Sequence, residues 1–133
     1  IITFHLEACK DKEDVMKNIQ LIKEKGSRVG IAIKPETPIE EIYEFLPYIN
    51  TVLVMTVEPG KGGQALIPET LRKVRILKEY LNQHNLDTYI EADGGINLDT
   101  IDEVKESGVD IAVVGNGILK TENYKVTVSK LHV

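Results

Sequence analysis

Three stretches of this 133-residue chain combine residue types that could do chemistry. The first is Tyr89-Ile90-Glu91-Ala92-Asp93-Gly94-Gly95-Ile96-Asn97. An extended run reaches a carboxylate, meets two glycines and passes into a helix start, with Asn97 as the cap of a helix from Leu98. An acid at the end of a strand sits in a mouth rather than in a core. Adjacent glycines let backbone N–H groups approach an anion with no Cβ in the way. Asp93 is therefore a candidate general base, and Gly94 and Gly95 are half of a phosphate cradle. Asp-Gly is also an ordinary turn signal, and read alone the pair favours a turn. The second stretch, Glu58-Pro59-Gly60-Lys61-Gly62-Gly63-Gln64, has three glycines in four positions. It can wrap closely around a ligand or serve as a plain connector. The third is Gly115-Asn116-Gly117.

The elements that would position these stretches alternate strand and helix. Ile1–Ala8, Arg28–Lys34, Thr51–Val57, Asp87–Ala92 and Ile111–Val114 read as strands. Asp11–Lys25 reads as a helix, with Val15, Ile19 and Ile22 at helical spacing and Gly26 past its end. Thr37-Pro38-Ile39-Glu40 predicts a capping box that opens a second helix, with Ile39, Ile42 and Phe45 inward and Pro47 ending or bending it. Leu71, Val74, Leu77 and Leu81 share a face of a third helix. Leu98–Ser107 predicts a fourth, closed by Gly108, and a last helix opens near Thr121 or Glu122 and runs through Leu131. Val52-Leu53-Val54-Met55-Thr56-Val57 is apolar without alternation, which predicts burial on both faces of a parallel sheet. Five βα units in succession, with glycine-rich exits on the last three strands, suggest the carboxyl-end site of a (β/α)₈ barrel.

Composition narrows the function classes. The chain is 42% hydrophobic and carries 16 basic and 21 acidic residues, net charge −5, with no basic stripe, which argues against nucleic acid as a partner. Cys9 is its one cysteine, so no disulfide framework exists and a reducing, cytoplasmic setting is expected. No run approaches the ~20 apolar residues of a membrane span, so neither a membrane span nor a secretory leader is expected. The apolar run from Ile1 is expected to be strand from its first residues.

Read together, Phe4-His5-Leu6-Glu7-Ala8, Gly30-Ile31-Ala32-Ile33-Lys34-Pro35, Val54-Met55-Thr56-Val57-Glu58-Pro59-Gly60-Lys61-Gly62-Gly63-Gln64 and Asp93-Gly94-Gly95-Ile96 resemble the ribulose-phosphate 3-epimerase family, in order and along the whole chain. The resemblance implies a (β/α)₈ TIM barrel of the ribulose-phosphate-binding type. It implies interconversion of ribulose 5-phosphate and xylulose 5-phosphate in the pentose phosphate pathway, with a divalent metal, zinc or iron first, manganese or cobalt also serving. It further implies a homo-oligomer when intact. Asp93 matches one of two catalytic aspartates, which is also a metal ligand. Met55 matches a methionine near the reacting carbons. Gly60, Lys61, Gly62, Gly63, Gly94 and Gly95 match the substrate and phosphate loops, and Gly115 and Asn116 the last phosphate contact. Lys61 stands where the family usually has an aromatic, and Asn116 where it usually has serine.

The family's first three βα units have no counterpart here. They carry the other aspartate and the histidine ligands, so the chain resembles the family's last five units, as a single incomplete domain over residues 1–133. Taken alone it is expected to be inactive. Alternatives are an allulose-6-phosphate 3-epimerase, disfavoured by Gly94-Gly95, and a non-catalytic phosphosugar-binding fragment. His5 is expected to be a packed residue rather than a ligand, and Glu58 could turn inward as a supporting acid.

Overall fold

The computed structural model describes residues Ile1–Val133. Five strands, β1 (Ile2–His5), β2 (Val29–Ile33), β3 (Thr51–Met55), β4 (Tyr89–Asp93) and β5 (Ile111–Val113), form one sheet in chain order. Every neighbouring pair is parallel, as expected from the repeated βα pattern. The helices are α1 (Lys12–Glu24), α2 (Pro68–Gln83), α3 (Ile101–Ser107), α4 (Asn116–Leu119) and α5 (Tyr124–Lys130). None is long and apolar enough to cross a membrane.

Helix ends follow local chemistry. The Asp11 carboxylate accepts from the Asp14 N–H and caps α1, and Gly26 beyond that helix has φ +78°. Pro68 opens α2. Gly108 closes α3 at φ +101°. The apolar stripes fall where their spacing predicts. Val15, Ile19 and Ile22 of α1, Leu71, Val74, Leu77 and Leu81 of α2, and Ile101 and Val104 of α3 are all buried.

Several boundaries differ from the sequence reading. Thr37 does not cap: its hydroxyl donates to the Glu7 carboxylate, and Ile39–Tyr48 is a 3₁₀ segment entered from Pro38, with Pro47 inside it. Ile39, Ile42 and Phe45 are buried nonetheless. The first strand stops at His5, because Leu6–Ala8 coils into a 3₁₀ turn. The last helix starts at Tyr124, with Asn123 capping it through the Val126 N–H, and the short α4 precedes it where the sequence reading placed only a glycine-rich strand exit. Asn97 accepts from the Asp99 and Thr100 N–H groups and shapes a turn, so α3 begins later, at Ile101.

The larger correction concerns the two faces of the sheet. Val29, Ile31, Ile33, Val52, Val54, Ile90 and Ala92 point toward the helices and have no exposure. The opposite face follows the register Leu53–Glu91–Ile111 and Met55–Asp93–Val113. It is open at the late strands: Tyr89 is 54%, Ile111 39% and Val113 37% exposed. Burial on both faces therefore holds for central β3 and fails toward β5.

Candidate active site

The carboxyl ends of β3, β4 and β5 surround a cavity of about 820 Å³. Asp93 is the last residue of β4, in register with Met55 of β3 and Val113 of β5, so its carboxylate stands between two flanking strand exits. It is half-buried, and burial raises its pKa above the ordinary carboxylate value, making it a better base. Glu91 lies two residues earlier on the same face. Burial first, then the Asp93 charge, raise its pKa as well.

The exit of β4 is fastened to the exit of β3 by one threonine. Thr56 is fully buried. Its N–H donates to the Asp93 carbonyl at 2.9 Å, its hydroxyl donates to the Gly94 carbonyl, and its own carbonyl accepts from the Ile67 N–H at 2.8 Å. These bonds fix the backbone on both sides of the acid. Sequence reasoning missed Thr56, although a lone polar residue directly after a buried apolar run was a usable signal. Gln64 holds the next loop together, its amide donating to the Glu58 carbonyl at 2.8 Å and the Lys61 carbonyl at 2.9 Å.

The glycines divide into two kinds. Gly94 (φ +129°) and Gly95 (φ +67°) adopt conformations that L side chains rarely take. A Cβ on Gly94 would fall on the Val57 side chain, and one on Gly95 on the Leu66 backbone. A Cβ on Gly117 would strike the Ile96 carbonyl. These three let the chain pack against itself. Gly60, Gly62 and Gly115 instead face open space, and Gly63 sees only the Asn116 amide, at 3.5 Å. Only the second kind leaves room for a ligand, which the sequence could not distinguish.

Met55, Gly60, Lys61, Gly62, Gly63, Asp93, Gly94, Gly95, Gly115 and Asn116 all line this one cavity. Asn97 and Gly117, at the ends of two of the stretches read from the sequence, line it too, as do Asp99, Lys120 and Thr121, which the sequence reading did not place at a site. Glu58 does not turn inward. It stands exposed at the rim, where a hydrogen bond with Glu36 is the first cause of its raised pKa. His5 lies far across the sheet on β1, its side chain 40% exposed and its Nδ1 3.7 Å from Glu7. No group of three or more His, Cys, Asp or Glu is arranged to hold a metal ion. Asp93 could supply one carboxylate to a metal, whereas zinc takes about four ligands. The residues of this chain therefore do not make up a metal site.

Successive parallel strands whose carboxyl-end loops meet in one cavity define an α/β protein of the (β/α)-barrel class. The pattern described as the Ribulose-phosphate 3 epimerase family matches residues 1–119, and the chain belongs to that family. It is 41% identical over 130 residues to the ribulose-phosphate 3-epimerase of Mycobacterium bovis, covering 98% of this chain and 56% of that protein. To the Escherichia coli K12 enzyme of the same name it is 36% identical over 131 residues, covering 98% and 57%. The chain thus spans little more than half the length of these relatives. A crystal structure of 3-hexulose-6-phosphate synthase superposes with a TM-score of 0.68 at 16% identity, covering 97% of this chain and 58% of that one. At that identity the likeness concerns the fold.

Proposed function

We propose that this chain supplies the phosphate-holding end and one of two bases of an enzyme that interconverts ribulose 5-phosphate and xylulose 5-phosphate. The carrying observation is the convergence of three consecutive glycine-containing strand exits around a single strand-end carboxylate. The C3 proton is acidified by the neighbouring ketone, and a base within hydrogen-bond reach can remove it. Asp93 is that base for one face of the sugar. The open backbone at Gly62, Gly63 and Gly115, with the Asn116 amide, takes the phosphate and so sets C3 at a fixed distance from the carboxylate. Met55, beside Asp93 in the register, packs against the reacting carbons.

Inversion needs proton return from the opposite face. One carboxylate would return the proton to the face it came from, so a second acid must stand across the substrate. We assign it to the portion that the longer relatives have and these residues do not match. Any divalent metal would need its remaining ligands from there too, with Asp93 as this chain's contribution.

The test is a coupled assay of the full-length protein with ribulose 5-phosphate and, separately, allulose 6-phosphate. Turnover favouring the pentose by a wide margin is expected. Preference for the hexulose would move the assignment to that substrate. A second reading, a phosphosugar-binding piece without turnover, is favoured by the single base here. It would be supported by phosphate binding with no epimerisation of either sugar.

A further inference from the structure

We propose that Lys120 is a substrate-binding residue that supplies positive charge to the phosphate end of this cavity. The inference rests on the reading of the cavity as a sugar-phosphate site. A phosphate monoester carries about −1.5 to −2 charges near neutral pH. The cavity's own carboxylates, Glu58, Asp93 and Asp99, oppose its entry. Glycine amides offer dipoles but no net charge. The cavity has two cations to offset this, Lys61 and Lys120. They come from the exits of β3 and β5, the strands that flank the Asp93 strand.

Neither lysine forms an ion pair within the chain, whose salt bridges use His5, Lys12 and Lys78. Their backbone settings differ. Lys61 lies in a run flanked by Gly60, Gly62 and Gly63. Lys120 ends a closed helical turn. Its N–H donates to the Asn116 carbonyl at 3.2 Å, and the Ile118 and Leu119 N–H groups donate to the Gly115 carbonyl at 2.9 and 3.0 Å. The same turn presents Gly115 and Asn116 to the cavity, so the Lys120 ammonium is carried by the segment that makes the last of the cradle. A cation built into the cradle steadies the dianion in ground and transition states alike. That is uniform binding, which changes KM and leaves kcat alone.

The experiment uses the full-length protein with Lys120→Ala, Lys120→Arg and, as a control for net charge, Lys125→Ala on α5. Two quantities are measured: steady-state kinetics with ribulose 5-phosphate, and calorimetric binding of inorganic phosphate. Lys120→Ala is expected to raise KM about tenfold with kcat unchanged, and to weaken inorganic phosphate by a similar factor. Lys120→Arg should restore most of both, and Lys125→Ala should alter neither. Unchanged KM and phosphate binding in Lys120→Ala would overturn the assignment, as would an equal effect of Lys125→Ala or a parent that binds no phosphate. If the parent binds phosphate but turns over no pentose phosphate, and Lys120→Ala still weakens that binding, Lys120 stands as an anion contact while the epimerase reading falls.

Discussion

Among single residues, the glycines carry the sharpest distinction. Gly94 and Gly95 look like ligand-facing positions in the sequence, yet their missing Cβ atoms make room for Val57 and Leu66. Gly62 and Gly115 are the positions with free space. Gly95→Ala therefore combines a steric clash with a left-handed backbone cost of about 1–2 kcal/mol, and should lower stability by at least that much. Gly62→Ala should leave thermal stability within about 0.5 kcal/mol while weakening phosphate binding, because its new methyl intrudes only on the cavity. Chemical denaturation and phosphate titration of the two variants check this. A Gly62→Ala protein that binds phosphate as the parent does would move the cradle elsewhere. The place of Asp93 at a strand end lining the cavity was legible because a carboxylate followed an apolar run and preceded two glycines. Thr56 was marked only by its polarity at the end of an apolar run, since its partners Asp93, Gly94 and Ile67 lie in other segments that the fold brings to it.

At the scale of elements, the fold fastens each strand exit to its neighbours through side chains that pattern reading cannot assign. The loop from Lys34 to Thr37 after β2 is held from two sides. The Glu7 carboxylate accepts from the Lys34 N–H at 2.6 Å and from the Thr37 hydroxyl. The Lys73 ammonium of α2 donates to the carbonyls of Lys34, Pro35 and Thr37 at 3.1, 2.8 and 2.6 Å. At the other end of the sheet, Asn50 accepts from the Val29 N–H and Asp110 from the Ile90 N–H, each at the start of a strand. The sequence offered Thr37 as a helix cap because its spacing to Glu40 fits a capping box. The Glu7 carboxylate takes that hydroxyl instead. Burial would raise the Glu7 pKa, but the bonds from Lys34 and Thr37 outweigh it, and the net shift is downward from 4.5. A depressed carboxyl pKa contributes stability that is fully present above the unfolded value, near pH 4.5, and is lost as pH falls through the folded one. Glu7→Gln should thus flatten the acid limb of the stability–pH curve below that pH. An unaltered limb would show that this carboxylate is not fastening the loop.

For the molecule as a whole, the parallel βα succession was legible because strand and helix periodicities alternate cleanly and the helix-facing residues of each strand are apolar. What periodicity could not convey was which sheet face this chain covers by itself. Tyr89, Ile111 and Val113 lie open on the uncovered face, and Ile2 is 47% exposed on the edge strand β1. Full burial of each such side chain is worth roughly 1.5–3 kcal/mol, and unpaired apolar edges template association. As a separate polypeptide the 133 residues are expected to self-associate, which sedimentation velocity would register. A monodisperse, cooperatively folding monomer would contradict this. The central claim is that Asp93 serves one face of a two-base reaction. It is tested most directly by solvent-deuterium exchange at C3 in full-length protein carrying Asp93→Asn, starting separately from ribulose 5-phosphate and from xylulose 5-phosphate. The account predicts that exchange collapses from the epimer whose proton Asp93 removes, with epimerisation lost in both directions and the fold retained. Full exchange from both epimers in that variant would show that Asp93 is not a base.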